Sequence, residues 1–154
     1  MVLLARRYGF LTEQQVKVLK LRSSGFSLRQ VAEALNTSHQ NVATIEKRAY
    51  ENIEKAKETL LVYKIISSPV KIVVKENTRL IDVPRIVIDE ADRVNIRVRG
   101  DFTLIYKLMR FKTPECIEGQ RVVKPVLILI DNNGFIDIYD YSKIRDLVED
   151  LEKI

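Results

Sequence analysis

Apolar residues recur every three or four positions through residues 12–63, a spacing that predicts amphipathic helices. The stretch with the clearest pattern is residues 27–49. Its apolar face consists of Val31, Leu35, Val42 and Ile45. A polar turn at residues 36–38 interrupts this face, so the pattern predicts one helix over 27–35 and a second that begins at Ser38.

Residues that cap helices stand where these helices are predicted to start. Ser27 and Gln30 have the spacing of a capping box, and Ser38 can cap the next helix. Ala32 offers the small side chain that closely crossing helices need. The two helices and their short turn are therefore typical of a helix-turn-helix, although an ordinary surface pair of helices would show similar polar starts.

A third helix is predicted upstream of this pair. Thr12 and Gln15 form another possible capping box, which predicts a helix over residues 12–22. Val16 and Leu19 are expected to face inward, and Gly25 can end the helical region in the left-handed conformation. Before it, residues 1–10 are either a flexible arm that touches the DNA backbone or a terminus without a role.

In a helix-turn-helix, the start of the second helix reads base edges in the major groove. Gln40 and Asn41 suit paired hydrogen bonds to adenine, and cationic side chains further along suit guanine or phosphate. The predicted DNA-contacting residues are Ser27, Arg29, Gln30, Ser38, His39, Gln40, Asn41, Thr44, Lys47 and Arg48.

The apolar stripe continues far beyond the start of this helix. Its members are Val42, Ile45, Ala49, Ile53, Ala56, Leu60 and Tyr63. Two interpretations remain open: one long helix whose far half pairs with a second chain, or two helices of which the second folds back on its own domain. We favour the self-associating surface, and therefore a homodimer, because helix-turn-helix proteins commonly bind two half-sites.

The sequence pattern changes after Ser67-Ser68-Pro69, which predicts a boundary between an all-α domain at residues 1–66 and a second domain at residues 70–154. Strands are predicted at residues 70–75 and 96–99, and a helix opens at Asp82 and Pro84. Residues 102–111 are ambiguous, although Asp101 could cap a helix there.

The last part of the chain gives a clearer pattern. Asn132-Asn133-Gly134 lies between the apolar run 126–130 and the alternating run 135–139, which predicts a β-hairpin. An amphipathic helix with Ile144, Leu147 and Val148 on its apolar face closes the chain. The expected fold class is α+β, with an N-terminal helix-turn-helix domain and a C-terminal α+β domain around a mixed or antiparallel sheet.

Charge separates the two halves. Residues 1–64 contain 11 Lys and Arg against 6 Asp and Glu, while residues 65–154 contain 15 of each. The whole excess of positive charge therefore lies in the segment with the predicted helix-turn-helix. This distribution favours double-stranded DNA, a polyanion, as the partner. No apolar run approaches the roughly 20 residues that span a bilayer, so we expect a cytoplasmic protein without a membrane partner.

The residue inventory argues against an enzyme. The chain has one cysteine, Cys116, and one histidine, His39, which excludes the ordinary structural zinc sets, so no metal site is expected. Cys116 is expected to be a buried, inert thiol. Neither a P-loop nor a dinucleotide fingerprint is present, and no cofactor is expected. The basic residues Arg93, Arg97 and Arg99 could hold an anion, although such residues more often form a solvated strand edge.

The helix-turn-helix pattern resembles that of the fourth region of bacterial sigma factors and of LuxR-type regulators. It is carried by Leu11, Thr12, Val16, Leu19, Gly25, Ser27, Val31, Ala32, Leu35, Ser38, Val42 and Ala49. Ala43 departs from it, because sigma-type reading helices often place a basic residue there. The chain resembles the archaeal Tfx family of DNA-binding transcriptional regulators. This resemblance is carried by the segment FLTEQQVKVLKLR ahead of the helix-turn-helix and by EKRAYENIEKAKETL, residues 46–60, which continues its second helix.

That resemblance implies a transcription regulator whose residues 70–154 form the family's C-terminal domain. We expect sequence-specific DNA binding. The alternatives are a regulator whose C-terminal domain senses a small molecule of unknown identity, and a protein-interaction module of the transcription machinery.

Overall fold

A computed structural model describes residues 6–154, which form two compact units. The first unit ends at Leu60 and the second spans Leu61–Ile154. The first contains β1 (Arg7–Tyr8), β2 (Leu11–Thr12), α1 (Glu13–Ser23), α2 (Leu28–Ala34) and most of α3 (His39–Ser67).

The predicted capping boxes of α1 and α2 are confirmed. The backbone N–H of Thr12 donates to Gln15 Oε1 at 2.9 Å, and the N–H of Gln15 donates to Thr12 Oγ1 at 3.1 Å. Ser27 and Gln30 repeat this exchange at 2.8 and 3.1 Å. Each box satisfies two backbone donors that a helix start leaves unpaired, which fixes where these helices begin.

The two helices also end in the same way. Gly25 follows α1 with φ +94°, as predicted, and Asn36 follows α2 with φ +52°. Beyond Asn36, the N–H of Thr37 donates to Ala32 O at 3.0 Å, which is the closing bond of a Schellman motif. The bond turns the chain sharply, so that α3 can begin three residues later.

The core of the first unit is small. Val18, Val31, Ala32 and Val42 are its buried residues, with Leu21, Leu28, Leu35 and Ile45 packed around them. The prediction that Val16 and Leu19 face inward is wrong in detail, because both are only half-buried while Val18 has no exposed surface. The Gln15 side chain folds back to cap Thr12 and occupies an inward position, which centres the buried face of α1 on Val18.

The flexible-arm interpretation is wrong for the described part of the N-terminus. Strands β1 and β2 form a short antiparallel hairpin around Gly9, whose φ is +63°. The side-chain amide of Asn52 donates to Phe10 O at 3.1 Å and so holds this hairpin to α3. Residues 1–5 lie outside the described part of the chain.

Helix α3 is a single helix of 29 residues, so the two-helix interpretation of the apolar stripe is wrong. It continues past Leu60, and Leu61 and Ile65 near its end belong to the core of the second unit. The chain therefore divides within a helix and not at Ser67-Ser68-Pro69. Across residues 6–154, no helix combines the length and the apolar character that crossing a membrane requires.

The second unit contains three main strands and three helices beyond the end of α3. In chain order its elements are β3 (Val70–Val74), a 3₁₀ turn (Leu80–Asp82), α4 (Val83–Arg93), α5 (Phe102–Lys112), a second 3₁₀ turn (Pro114–Cys116), β4 (Ile117–Glu118), β5 (Arg121–Val122), β6 (Val126–Ile130), β7 (Ile136–Asp140) and α6 (Tyr141–Glu152).

The sheet of the second unit is antiparallel, with the order β3-β6-β7. Every residue of the central strand β6 is buried, because both faces of this strand are covered. Ile128 lies in the cluster that includes α4 and α5, while Leu127 and Leu129 lie in a second cluster with Ile65 and Val148. The predicted α+β class is confirmed, and of its two sheet options the antiparallel one is observed.

The structure settles the secondary structure of two segments of the second unit, one ambiguous and one wrongly predicted from the sequence. Residues 102–111 are helical, and Asp101 Oδ1 accepts the N–H of Leu104 at 2.8 Å as the predicted cap would. The predicted strand at residues 96–99 is wrong. Ile96 and Val98 do pack on the core, but the segment joins no sheet ladder and the N–H of Arg99 donates only to Gly134 O, at 2.9 Å.

Cys116 is fully buried, as expected. Burial, with a smaller contribution from the Asp140 carboxylate, raises the pKa of its thiol from 9.0 to about 11. The thiol is therefore protonated at neutral pH.

Candidate nucleic-acid interface

The turn between α2 and α3 presents the start of α3 in a fixed orientation. Ser38 Oγ accepts the N–H of Asn41 at 3.1 Å, and the Ser38 carbonyl accepts the N–H of Val42 at 3.1 Å. Val42 has no exposed surface and packs beside Val31 in the small core. The inward residues of this helix thus anchor it, and the residues of its opposite side face solvent.

An ion pair further fixes α3 against α1. Arg22 Nε lies 2.7 Å from Glu46 Oε2, and the Glu46 side chain is only 18% exposed. A second guanidinium nitrogen of Arg22 donates to Phe26 O at 3.0 Å. This pair was missed from the sequence, because two charges 24 positions apart give no local pattern.

All the DNA-contacting residues predicted from the sequence are exposed. These are Ser27, Arg29, Gln30, Ser38, His39, Gln40, Asn41, Thr44, Lys47 and Arg48. They lie at the starts of α2 and α3 or on the next turns of α3. The structure therefore brings them to one helix pair.

Some of these residues also have a role in the fold. Ser27 and Gln30 cap α2, and Ser38 caps α3. The Asn41 side-chain amide donates to Thr37 Oγ1 at 2.9 Å, and Thr44 Oγ1 donates to Gln40 O at 3.1 Å. The bond to Thr37 holds the Asn41 amide in one orientation, which lowers the entropy lost when it binds a ligand.

Other residues of the set are uncommitted. Among the described residues, no side-chain hydrogen bond or ion pair engages Arg29, His39, Gln40, Lys47 or Arg48. Gln40, Thr44 and Lys47 follow one another at helical spacing, so they lie along one side of α3. Their donors and acceptors suit a polyanion that also carries hydrogen-bonding edges, and Gln40 lies in the first turn of α3, next to the positive end of the helix dipole.

The basic residues considered for an anion site in the second unit do not converge. Arg93 pairs with Glu90 at 2.8 Å. The Nε of Arg99 donates to Asn133 O at 2.7 Å, while its guanidinium lies over the Phe135 ring. Arg97 lines a shallow open groove that also contains Asp92, whose charge opposes an anion.

The fold and the surface define a class of protein: a basic, mainly helical unit with an exposed polar helix start, followed by an antiparallel α+β unit. The comparison with protein families makes this class specific. A family model described as "DNA_binding protein, TFX, C-term" matches residues 56–138, more than half of the chain. The chain belongs to the Tfx family.

Relatives extend the match over the helical unit. "Putative transcriptional regulatory protein MJ0173" of Methanocaldococcus jannaschii is 40% identical over 130 residues, which are 84% of this chain and 95% of the relative. A protein of Pyrococcus furiosus with the same kind of name is 34% identical over 141 residues, covering 92% of this chain and 98% of its own. "DNA-binding protein Tfx" of Methanothermobacter marburgensis is 38% identical over 115 residues, which are 75% of this chain and 83% of the relative.

Proposed function

We propose that this protein is a DNA-binding transcriptional regulator that reads duplex DNA through α2 and α3, with the reading helix beginning at Ser38. Membership of the Tfx family supports the general function, because its members carry names that state DNA binding and transcriptional regulation. The observation that carries the specific proposal is the exposed row of polar and cationic side chains at the start of α3, on a helix anchored by its own core.

Each part of this surface has its own role in the proposal. Gln40 and Asn41 pair with base edges, most favourably adenine, from the first turn of α3. Lys47 and Arg48 bind phosphate or guanine further along the helix. Arg29 and the capped start of α2 contact the backbone of the duplex and set the register of the reading helix.

Binding measurements on single variants test this assignment. Gln40→Ala and Asn41→Ala should each cost about 1–3 kcal/mol on the preferred site and should relax the choice at one base pair. Affinity should fall steeply as salt rises, because the protein displaces counterions from phosphates.

Gln14→Ala is a matched control, since Gln14 is an exposed glutamine on α1, outside the helix pair. It should bind DNA as the parent does. If Gln40→Ala and Asn41→Ala also bind preferred and scrambled duplexes like the parent, α3 is not the reading helix.

The proposal includes a homodimer formed through the far half of α3. Leu60, Tyr63 and Ile66 are between 63% and 67% exposed, and Tyr50 is 52% exposed. Ile53 and Ala56 on the same helix are half-buried. Large apolar side chains that are exposed on one helix are suited to pack against a second copy of the chain. A two-fold dimer would place the two reading helices about 34 Å apart, which is one turn of DNA, or a multiple of that distance.

The variant Ile53→Glu combined with Leu60→Glu tests the dimer. It should remain helical by circular dichroism but run as a monomer by light scattering, with much weaker DNA binding. Lys55→Glu is the control, because it changes the net charge by the same amount at an exposed position between the two. A parent that stays monomeric at high concentration and protects one asymmetric half-site contradicts the dimer.

The other functions considered from the sequence have less support. The Tfx family is named for DNA binding and not for a reaction, so we do not propose an enzyme. Two experiments test the alternatives. A metabolite that shifts the melting temperature would support a small-molecule effector of the second unit. Absence of salt-dependent DNA binding would support a role limited to protein interaction. We also propose a cytoplasmic location, because a regulator of this kind acts on genomic DNA.

A further inference from the structure

Three side chains that can bind a metal ion meet in the second unit, away from the proposed DNA-binding surface. They are Glu115, Cys116 and Asp140. One carboxylate oxygen of Glu115, the Cys116 Sγ and one carboxylate oxygen of Asp140 all lie within 4.8 Å of one another. The three residues come from the 3₁₀ turn after α5 and from the junction of β7 with α6.

The backbone holds both sides of this cluster in place. The Cys116 N–H donates to Thr113 O at 3.0 Å, and the Cys116 carbonyl accepts the N–H of Val123 at 2.8 Å. Asp140 is the last residue of β7, and the N–H of Tyr141 beside it donates to Pro125 O at 3.1 Å. Cys116 and Asp140 are therefore presented by rigid segments, as a specific site requires.

Asp140 carries a poorly satisfied polar atom at this position. The residue is only 6% exposed. Its Oδ1 accepts the backbone N–H of Ser142 at 3.0 Å and the Ser142 hydroxyl at 2.5 Å, which caps α6. Its Oδ2 is buried and, among residues 6–154, accepts no hydrogen bond from a nitrogen or oxygen donor; the donor that faces this carboxylate is the Cys116 thiol. A thiol is a weak donor, so the buried oxygen is poorly satisfied, and a cation at this point would satisfy it better.

We propose that Glu115, Cys116 and Asp140 bind a divalent zinc ion. A thiolate with two carboxylate oxygens is a borderline-soft set that suits zinc better than magnesium or calcium. With ordinary zinc–ligand bonds the ligand atoms would stand about 3.5 Å apart, so any pair near the 4.8 Å limit would have to approach by about 1 Å. Glu115 is exposed and can supply that movement.

The charges and protons of the site balance. Three anionic ligands around one divalent ion leave a single negative charge, and Lys143 Nζ lies 3.5 Å from Glu115 Oε1 to offset it. The bound cation displaces the thiol proton of Cys116, which leaves to solvent. The expectation of no metal site rested on excluding sets of several Cys and His, and a mixed thiolate–carboxylate site lies outside those sets.

Cobalt titration of the metal-free full-length protein tests the proposal. Co²⁺ replaces zinc in such sites and reports a bound thiolate by a charge-transfer band in the near ultraviolet. We expect this band to saturate at one ion per chain and to disappear when zinc is added. Zinc should also raise the melting temperature, because an ion that binds only the folded state stabilises it.

Three variants make the test specific. Cys116→Ala should abolish the charge-transfer band. Asp140→Asn should weaken zinc at least about tenfold while α6 stays capped, because Asn and Asp are equivalent caps. Glu118→Gln changes an exposed carboxylate two residues beyond the cluster and should bind like the parent.

Two results overturn the proposal. One is a parent protein with no charge-transfer band and no zinc-dependent rise in melting temperature, in which case Cys116 and Asp140 form a thiol–carboxylate contact only. The other is equal metal affinity in the parent, Cys116→Ala and Asp140→Asn, which would place the ion elsewhere.

Discussion

The two units of this chain reach stability by different routes. The first unit buries only a few small and medium side chains around Val18, Val31 and Val42, and it fixes its helices with capping boxes and Schellman turns. The second unit sandwiches the central strand β6 between two apolar clusters. A small core leaves the first unit dependent on local bonds, whereas the second depends on packing.

The difference also separates the surfaces on which the two units are proposed to act. The first unit uses its few apolar residues to anchor one side of α3 and leaves the other side free for polar contacts. The first unit, residues 1–60, contains 10 Lys and Arg against 6 Asp and Glu, whereas the second, residues 61–154, contains 16 against 15. A polyanion would therefore be attracted to the first unit and not to the second.

The largest effect is expected from placing a charge in the small core. Val31→Asp should lower the free energy of unfolding of the first unit by about 4 kcal/mol or more, because Val31 has no exposed surface and an aspartate there would lack a partner. Hydrogen exchange should then show lost protection in α1 and α2, with β6 still protected.

Val73→Asp is the matched control for this change. Val73 is 43% exposed in β3, so the same substitution should cost only about 1 kcal/mol or less. Loss of protection in both units of Val31→Asp would show that they do not unfold separately.

A smaller effect, confined to the second unit, is expected in alkaline solution for the metal-free protein, in which Cys116 carries its thiol proton. The pKa of the Cys116 thiol is about 11 in the folded chain against 9.0 for an ordinary thiol. Between these values the unfolded chain has lost this proton and the folded chain has kept it, so stability falls as pH rises from 9 to 11, by up to about 2–3 kcal/mol. Below pH 9 the thiol contributes no pH dependence.

Denaturant melts of the parent and Cys116→Ala across this range measure the difference in slope. Alanine removes the titrating thiol and fills most of its volume, so its stability should fall less steeply with pH. Identical slopes in the two proteins would mean that the folded thiol titrates like an exposed one.

The smallest expected effect concerns the caps of the first unit. Ser27→Ala removes the hydroxyl that accepts the N–H of Gln30 and should cost about 1 kcal/mol. Ser23→Ala, at an exposed position near the end of α1, should change stability by less than about 0.5 kcal/mol. Equal melting temperatures for the two variants would show that the capping box of α2 does not stabilise this unit.

Local chemistry explains what was predictable from the sequence. The boxes at Thr12 and Ser27, the turn at Gly25 and the hairpin around Gly134 involve residues a few positions apart, so their patterns are visible in the chain. The exposed residues of the α3 start were predicted in the same way, from the position of the cap at Ser38.

What escaped prediction depends on distant partners. Arg22 and Glu46 are 24 positions apart, and the meeting of Cys116 with Asp140 requires the sheet. The segment 96–99 alternates like a strand, but a strand also needs a ladder of hydrogen bonds to a neighbour, and here the Arg99 N–H makes a single bond, to Gly134 O. Which face of α1 is buried depended on the Gln15 side chain, whose capping role shifts the face toward Val18.

Selection of bound duplexes from a random DNA pool, carried out in parallel with the parent and with Gln40→Ala, tests the central claim most directly. We predict that the parent enriches a palindrome with half-sites one helical turn apart or a multiple of it, and that the variant loses preference at one base pair in each half-site. The same consensus from both proteins, or no enrichment by the parent, would contradict the assignment of α3 as the reading helix.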